Sequence, residues 1–456
     1  MSERLLSVGL DVGTTTTQLI LSELTVENRA SGFAVPHMQI TDRRIRYESP
    51  VHFTPLLDET HVDGPAIRAL VKEDYARAGI TAGQVDTGAV IITGETSRKE
   101  NARTVLESLA GYAGEFVVAT AGPDLESVLA AKGAGATDYS AKTGKTVLHM
   151  DIGGGTSNLA LIEDGRITKT GCLNVGGRLL KFDSAGRVYY VSPVLNGLTD
   201  LRPGDYPAEG QVEALAQILT HALEMAAGLR SRTELLDRLA TAEAGQAFCH
   251  AGAEVISFSG GVADCITKQH PPRRFEDMGP ALGQAIHRSR LCQNTYTLGS
   301  QTIRATVIGA GCHSTQLSGS TVFFRGVRFP LKNLPVVALS AREQEDPAAI
   351  AEKLRRQDAD RVILAMPGYR APTHTQITAL ARTVSEATAG RPLFLCLEND
   401  MAKALGHSLC LQLPEDVPCL CIDRLGLEEG SFLDVGAPVG PALPVVIKTL
   451  VLPANN

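Results

Sequence analysis

The sequence is short of the features that mark a secreted, membrane-spanning or polyanion-binding chain. Nine cysteines scattered through 456 residues are too sparse for a disulfide scaffold. The amino terminus shows no basic region, apolar core and cleavage site in series. No apolar run approaches the roughly 20 residues that cross a bilayer, and there is no low-complexity tract and no block of like charges. A formal net charge of −7 and a pI near 5.9 argue against nucleic acid or an anionic membrane surface as the main partner. These absences lead to the expectation of a soluble, cytoplasmic protein. The closest metal-like spacing is Cys419 and Cys421 in "VPCLCID". On a strand, one intervening residue puts both thiols on one face, a pattern of core cysteines more than of metal ligands.

What is present is an ordinary globular balance, 44% hydrophobic and 20% charged residues. The chain exceeds the roughly 250 to 300 residues at which one core splits, so about two or three domains are expected.

The most informative stretch is "LSVGLDVGTTTTQLILSEL", in which an aspartate, a glycine and four threonines sit between two apolar runs. It has a second copy, "HMDIGGGTSNLALIEDGRI", at a constant offset of 140 residues that lays Asp11 on Asp151, Gly13 on Gly153 and Thr16 on Thr156. Each copy reads as strand, tight turn, strand, with "EDG" supplying a hairpin turn after the second. Between the copies, "TGAVIITGE" reads as a buried strand and "DLESVLAAKGAG" as a helix that starts near Pro123 and is stopped by glycine. Later, "QVEALAQILTHALEMAAGL" is helical and "EVISFSGGVAD" is a strand followed by a glycine turn. From about 319 the texture changes to an alternating β/α run with its own core. The expected units are therefore 1–145, 146–318 and 319–456.

An Asp-x-Gly-Thr-Thr hairpin can lay backbone N–H groups and hydroxyls against phosphate oxygens, with glycine permitting close approach. Asp11 and Asp151, at the ends of adjacent strands, would face the same phosphates. Carboxylates are tolerable there only with Mg²⁺ between, held through retained waters. Threonine is also a good strand former, so one copy alone could merely fill a sheet; the second copy weighs against that. The "TGKT" at 143 to 146 is not a phosphate loop, because Tyr139 stands where the first glycine is required and the segment precedes a strand. Nor is "GAGAT" at 133 to 137 a dinucleotide fingerprint, since it follows a helix.

In order, "LDVGTTTT", "DLESVLAAKGAG", "DIGGGTSN", "SFSGGVAD" and "VIGAG" resemble the superfamily of actin, sugar kinases and seventy-kilodalton heat-shock ATPases. The resemblance implies an α/β fold of duplicated actin-like (ribonuclease H-like) ATPase halves around a nucleotide cleft, followed by a C-terminal α/β domain. It implies ATP and Mg²⁺ as ligands, with Asp11 and Asp151 as water-mediated magnesium ligands. Gly13, Thr14, Thr15, Thr16, Gly153, Gly154, Gly155 and Thr156 fall at phosphate-contact positions. Ser259, Gly260 and Gly261 would flank the nucleoside, and Gly309 is placed with them in the cofactor set. Glu126 matches an acidic residue near the attacking water, a candidate general base or water orienter. A glutamate in a first helical turn is equally expected there for its fit to the helix dipole.

Over nearly the full length, "LLSVGLDVGTTTTQ", "IITGET", "ENAR", "FVVATAGPDLESVLAAKGAGA", "CLNVGGRLL", "RATVIGAG", "LSGSTV" and "FLDVGAP" resemble the reactivating factors of ethanolamine ammonia-lyase. That likeness implies a chaperone-like ATPase that releases damaged cobalamin from the inactivated lyase so that adenosylcobalamin can rebind. It also implies a setting near the ethanolamine-utilisation microcompartment. No cobalamin ligand is assigned in this chain; His313, beside Cys312, is read as packing. Two alternatives use the same fold. A small-molecule kinase would need a sugar-binding signature, and none is found. A nucleotide-binding scaffold would want a terminal amphipathic anchor, which neither end offers. Residues 319–456 carry no acid, base or metal constellation and are assigned to packing or partner docking.

Overall fold

The computed structural model describes residues 2–449 except 14–15, 29–37, 59–60, 94–95, 97–98, 110–117, 121–122, 242–247, 272–273, 294, 300–301, 314, 319–320, 358, 360, 389, 428, 430 and 439–441. The first sheet is built by β1 (Ser2–Val12), β2 (Thr16–Asn28), β3 (Met38–Glu48), β4 (His52–Phe53), β5 (Thr87–Ile92) and β6 (Val118–Thr120). Its order is β3-β2-β1-β5-β6, with β4 added to the start of β2. The first three strands pair antiparallel and the last three parallel.

The second sheet repeats this plan. It uses β7 (Val147–Ile152), β8 (Ser157–Glu163) and β9 (Arg166–Leu173), while β10 (Leu180–Phe182) and β11 (Val188–Val191) form a separate ribbon. With β12 (Val255–Ser259) and β13 (Tyr296–Leu298) the order is β9-β8-β7-β12-β13, again antiparallel then parallel. The repeat seen in the sequence is therefore a repeat of topology. The turn between β8 and β9 holds Asp164 and Gly165 at φ 49° and 76°, the paired left-handed conformation an Asp-Gly hairpin turn favours. Each half surrounds its own apolar core: Phe182, Phe248 and Phe258 lie in the second, and Leu10, Ile67 and Ile92 in the first.

Two helices lie between the halves. The helix Pro123–Gly133 crosses Ala305–His313 at very short range. A Cβ on Gly133 would stand 1.8 Å from the Ala305 carbonyl, and one on Gly309 would stand 2.1 Å from the Leu129 carbonyl. Glycine at both positions lets the backbones touch.

The third sheet contains β14 (Thr315–Leu317), β15 (Phe323–Arg325), β16 (Leu331–Ala338), β17 (Ile363–Met366), β18 (Leu393–Leu397), β19 (Cys419–Asp423), β20 (Ser431–Val435) and β21 (Pro444–Thr449). Strands β16 to β19 run parallel, with helices Pro347–Arg355, His374–Thr388 and Ala402–Cys410 between them. Cys419 and Cys421 are buried in its core. This sheet is tied to the first half. Val446 packs with Ala89, Ile91, Leu129 and Ala310, and Ala442 packs with Leu5, Leu24 and Val26. No helix among the described residues is long and apolar enough to cross a membrane.

Candidate functional site

Strands β1 and β7 end in the same motif and turn the same way. Gly13 N–H donates to the Thr16 carbonyl and Gly153 N–H to the Thr156 carbonyl, both at 2.9 Å. Those two N–H groups close their own turns and are spent. In the second turn the N–H groups of Gly154, Gly155 and Thr156 take no backbone partner among the described residues, so they remain for a ligand. A Cβ on Gly155 would meet nothing within 4 Å, so the space in front of this turn is open.

The turns face one cavity of about 410 Å³. Asp11, Gly13 and Thr16 line it from the first half, Glu126 from the helix beneath, and Asp151, Gly153, Gly154, Gly155, Thr156, Gly260 and Gly261 from the second half. Thr14 and Thr15 lie outside the described residues. Ser259 acts from behind, its hydroxyl donating to Asp151 Oδ1 at 2.5 Å. Gly260 is at φ 89°, and a Cβ there would be 2.3 Å from the Ile152 carbonyl, so the second sheet closes against this turn only with glycine. Gly309 stands apart. It is not among the residues that line the cavity, and the close helix crossing gives an independent reason for a glycine there. Lys145 of "TGKT" sits in the turn before β7, away from the cavity.

The two aspartates carry the electrostatics. Burial raises the Asp11 carboxyl from its ordinary 3.8 to about 7; a hydrogen bond from Thr93 (2.9 Å) opposes the rise and the charge of Asp151 adds to it. Burial likewise raises Asp151 to about 6, against hydrogen bonds from Ser259 and Thr306. A pair of carboxylates held at depth in one cavity lacks positive charge, and a cation between them would relieve both. Among the described residues no group of three or more His, Cys, Asp or Glu side chains forms a complete metal cage. The donor set therefore suits a cation that keeps several waters and takes its remaining ligands from a bound anion, as magnesium does with phosphate.

Several residues of the site carry no motif. His149, fully buried, bridges the Ser257 hydroxyl (3.0 Å) and the Ser259 hydroxyl (2.9 Å). Burial lowers its pKa to about 3, so it is neutral. Since Ser259 donates to Asp151, it accepts from His149 Nε2–H, and Nδ1 accepts from Ser257; the tautomer follows from the chain of donors. Alternation along β7 and β12 was the signal that could have found it: His149 and Asp151, like Ser257 and Ser259, are two apart and share a face. Glu126 Oε2 accepts from Asn158 Nδ2 at 2.8 Å, which holds the glutamate at the cavity wall. Arg178 and Lys268 bring positive charge to the lining, Arg178 paired with Asp277 at 3.1 Å.

Two sheets of ribonuclease H-like order, each offering an aspartate and a glycine turn to a common cavity, place the molecule in the duplicated actin-like class. Within that class, the chain belongs to the ethanolamine utilisation protein EutA family, whose profile matches residues 3–453. Two curated relatives, from Salmonella typhimurium and Escherichia coli, are each 40% identical over 99% of this chain and 100% of their own length. Both bear the name ethanolamine ammonia-lyase reactivase EutA. Among solved structures, the PPX-GPPA enzyme of Aquifex aeolicus is similar at 13% identity and a TM-score of 0.42, over 67% of this chain and 99% of that one.

Proposed function

We propose that this chain is an ATP-dependent reactivating factor for ethanolamine ammonia-lyase. It binds lyase stalled with damaged cobalamin, releases the dead cofactor and allows adenosylcobalamin to enter. The observation that carries this reading is the full-length match to relatives that bear the reactivase name. The cavity supports it with the chemistry such a protein needs.

In this reading ATP lies in the cavity between the halves. The N–H groups of Gly154, Gly155 and Thr156 and the side chain of Arg178 hold phosphate oxygens, and Asp11 and Asp151 hold hydrated magnesium. Magnesium, when bound, neutralises phosphate charge and favours attack at phosphorus. Glu126 orients water at the wall, and Gly260 and Gly261 flank the nucleoside. Residues 1–145 and 146–318 are the two clamp halves, and 319–456 contribute to holding the client. The setting is cytoplasmic, beside the ethanolamine-utilisation microcompartment. A clamp that closes differently on triphosphate and diphosphate couples nucleotide to a partner surface. Taking such a switch from 1:99 to 99:1 needs about 5.5 kcal/mol of differential binding, within reach of phosphate contacts plus a divalent cation.

The test is nucleotide turnover. ATP hydrolysis by the chain should require magnesium and rise when lyase blocked with inactive cobalamin is added. Phosphate release unaffected by blocked lyase would speak against a reactivase and return attention to small-molecule phosphorylation.

A further inference from the structure

One segment of the first half combines two properties that the nucleotide site does not explain. Within seven residues, Val51, Phe53, Leu56 and Leu57 leave large apolar side chains in solvent, Phe53 76% and Leu57 64% exposed. Together they present roughly 400 Å² of apolar surface, a size at which such patches on monomers are often functional. The same segment is also fastened to the first glycine turn, where Gly13 and Thr16 line the cavity. Strand β4 pairs Phe53 with Thr16 and His52 with Thr17. The buried Thr54 hydroxyl donates to the Gly13 carbonyl at 2.8 Å and lies 3.1 Å from the Thr17 hydroxyl. At the other end Ser49 Oγ accepts from Leu19 N–H at 2.9 Å, and Arg304, from the edge of the helix between the halves, donates to the Ser49 carbonyl at 2.7 Å.

We infer that the ridge from Val51 to Leu57 is the surface by which the client lyase is gripped according to the nucleotide held, a partner that rests on the reactivase reading above. A shift of Gly13 and Thr16, which line the cavity, as nucleotide binds and leaves moves Phe53 directly, because Thr16 and Phe53 share a ladder and Thr54 anchors the segment to Gly13. A permanent self-interface has no use for such a linkage. Two copies pressed together on this ridge would bury about 800 Å² in total, below the roughly 1,200 to 2,000 Å² of a stable dimer. An aromatic and two leucines on a short tether instead suit insertion into an apolar pocket of a partner that must later be released.

The experiment is the double substitution Phe53→Ser with Leu57→Ser in the full-length chain. Both side chains are exposed, so folding is expected to survive. Affinity for MgATP should stay within twofold, the molar mass by light scattering should not change, and ATP-dependent reactivation of lyase should fall at least tenfold. Reactivation within twofold of the unsubstituted chain would overturn the inference. A parallel loss of MgATP affinity would also overturn it, by making the segment part of the nucleotide site, as would a halving of molar mass, by making it a self-interface. If the unsubstituted chain fails to reactivate lyase, the reactivase reading itself falls, and the partner assigned here falls with it.

Discussion

Gln18 lies directly opposite Asp11 across the first hairpin, as Asn158 lies opposite Asp151 across the second. Both amides line the cavity and are 4% exposed, and each leaves its carbonyl oxygen buried with no hydrogen-bond partner among the described residues. Buried acceptors without partners are costly, and this pair lies sealed behind the cavity wall, so each hairpin carries that cost in the folded state. Their NH₂ groups are held by other residues of the lining: Gln18 donates to the Ile303 carbonyl at 3.3 Å and Asn158 to Glu126.

Gln18→Met tests this directly. It removes an unsatisfied acceptor at similar volume, so nucleotide-free stability should stay within about 1 kcal/mol of the parent or rise. MgATP affinity by calorimetry should stay within about threefold, because the oxygen removed does not reach the cavity surface. A loss of tenfold or more would show that the Gln18 amide turns to meet the ligand.

The raised aspartates set a pH dependence of defined sign. Asp11 holds its proton up to about 7 when folded, against 3.8 ordinarily, so between those values the folded chain binds more protons than the unfolded. Stability of the nucleotide-free protein should therefore fall as pH rises from about 4 to about 7, by on the order of a few kcal/mol. Asp11→Asn should flatten that decline while removing magnesium-dependent reactivation. Near pH 6, MgATP binding should release protons, seen as a heat that varies with the buffer's ionisation enthalpy. Buffer-independent heat would mean the aspartates do not meet the cation.

The His149 chain predicts a coupled loss. His149→Leu strands the hydroxyls of Ser257 and Ser259 in the core and frees Ser259 from the orientation in which it donates to Asp151. Unfolding free energy should drop by about 2 to 4 kcal/mol, and nucleotide affinity should weaken as well. A stable variant with full affinity would make the chain dispensable.

Glycines with different reasons should respond differently. Gly309→Ala drives a methyl into the Leu129 carbonyl and should lower the unfolding midpoint sharply. Gly155→Ala enters open space in front of the turn. It should leave the midpoint nearly unchanged and weaken only the nucleotide. Equal effects on stability would contradict the division.

Much of this was legible because duplication writes the same constraint twice. The offset between Asp11 and Asp151 marked both turns, and the five ordered motifs implied the duplicated fold. What escaped was whatever depends on pairing across the sheets. Gln18 and Asn158 read as ordinary strand residues until register sets them opposite the aspartates. His149 has no spacing of its own and gains its role from two serines about a hundred residues away. Gly309 matched a motif, yet its reason is a helix crossing that a one-dimensional pattern does not express. The tie between the third sheet and the first half was equally hidden. Val446 and Ala442 cover apolar residues of the first sheet, so deleting 319–456 is expected to destabilise that half, and lost client binding in such a deletion would say nothing of docking.

The central claim is tested most directly by recovery of activity. Ethanolamine ammonia-lyase preloaded with hydroxocobalamin would be incubated with this protein, adenosylcobalamin and magnesium, with and without ATP. The account predicts recovery with ATP and none without it. No recovery in either, while an authentic reactivase restores the same lyase in parallel, would contradict it.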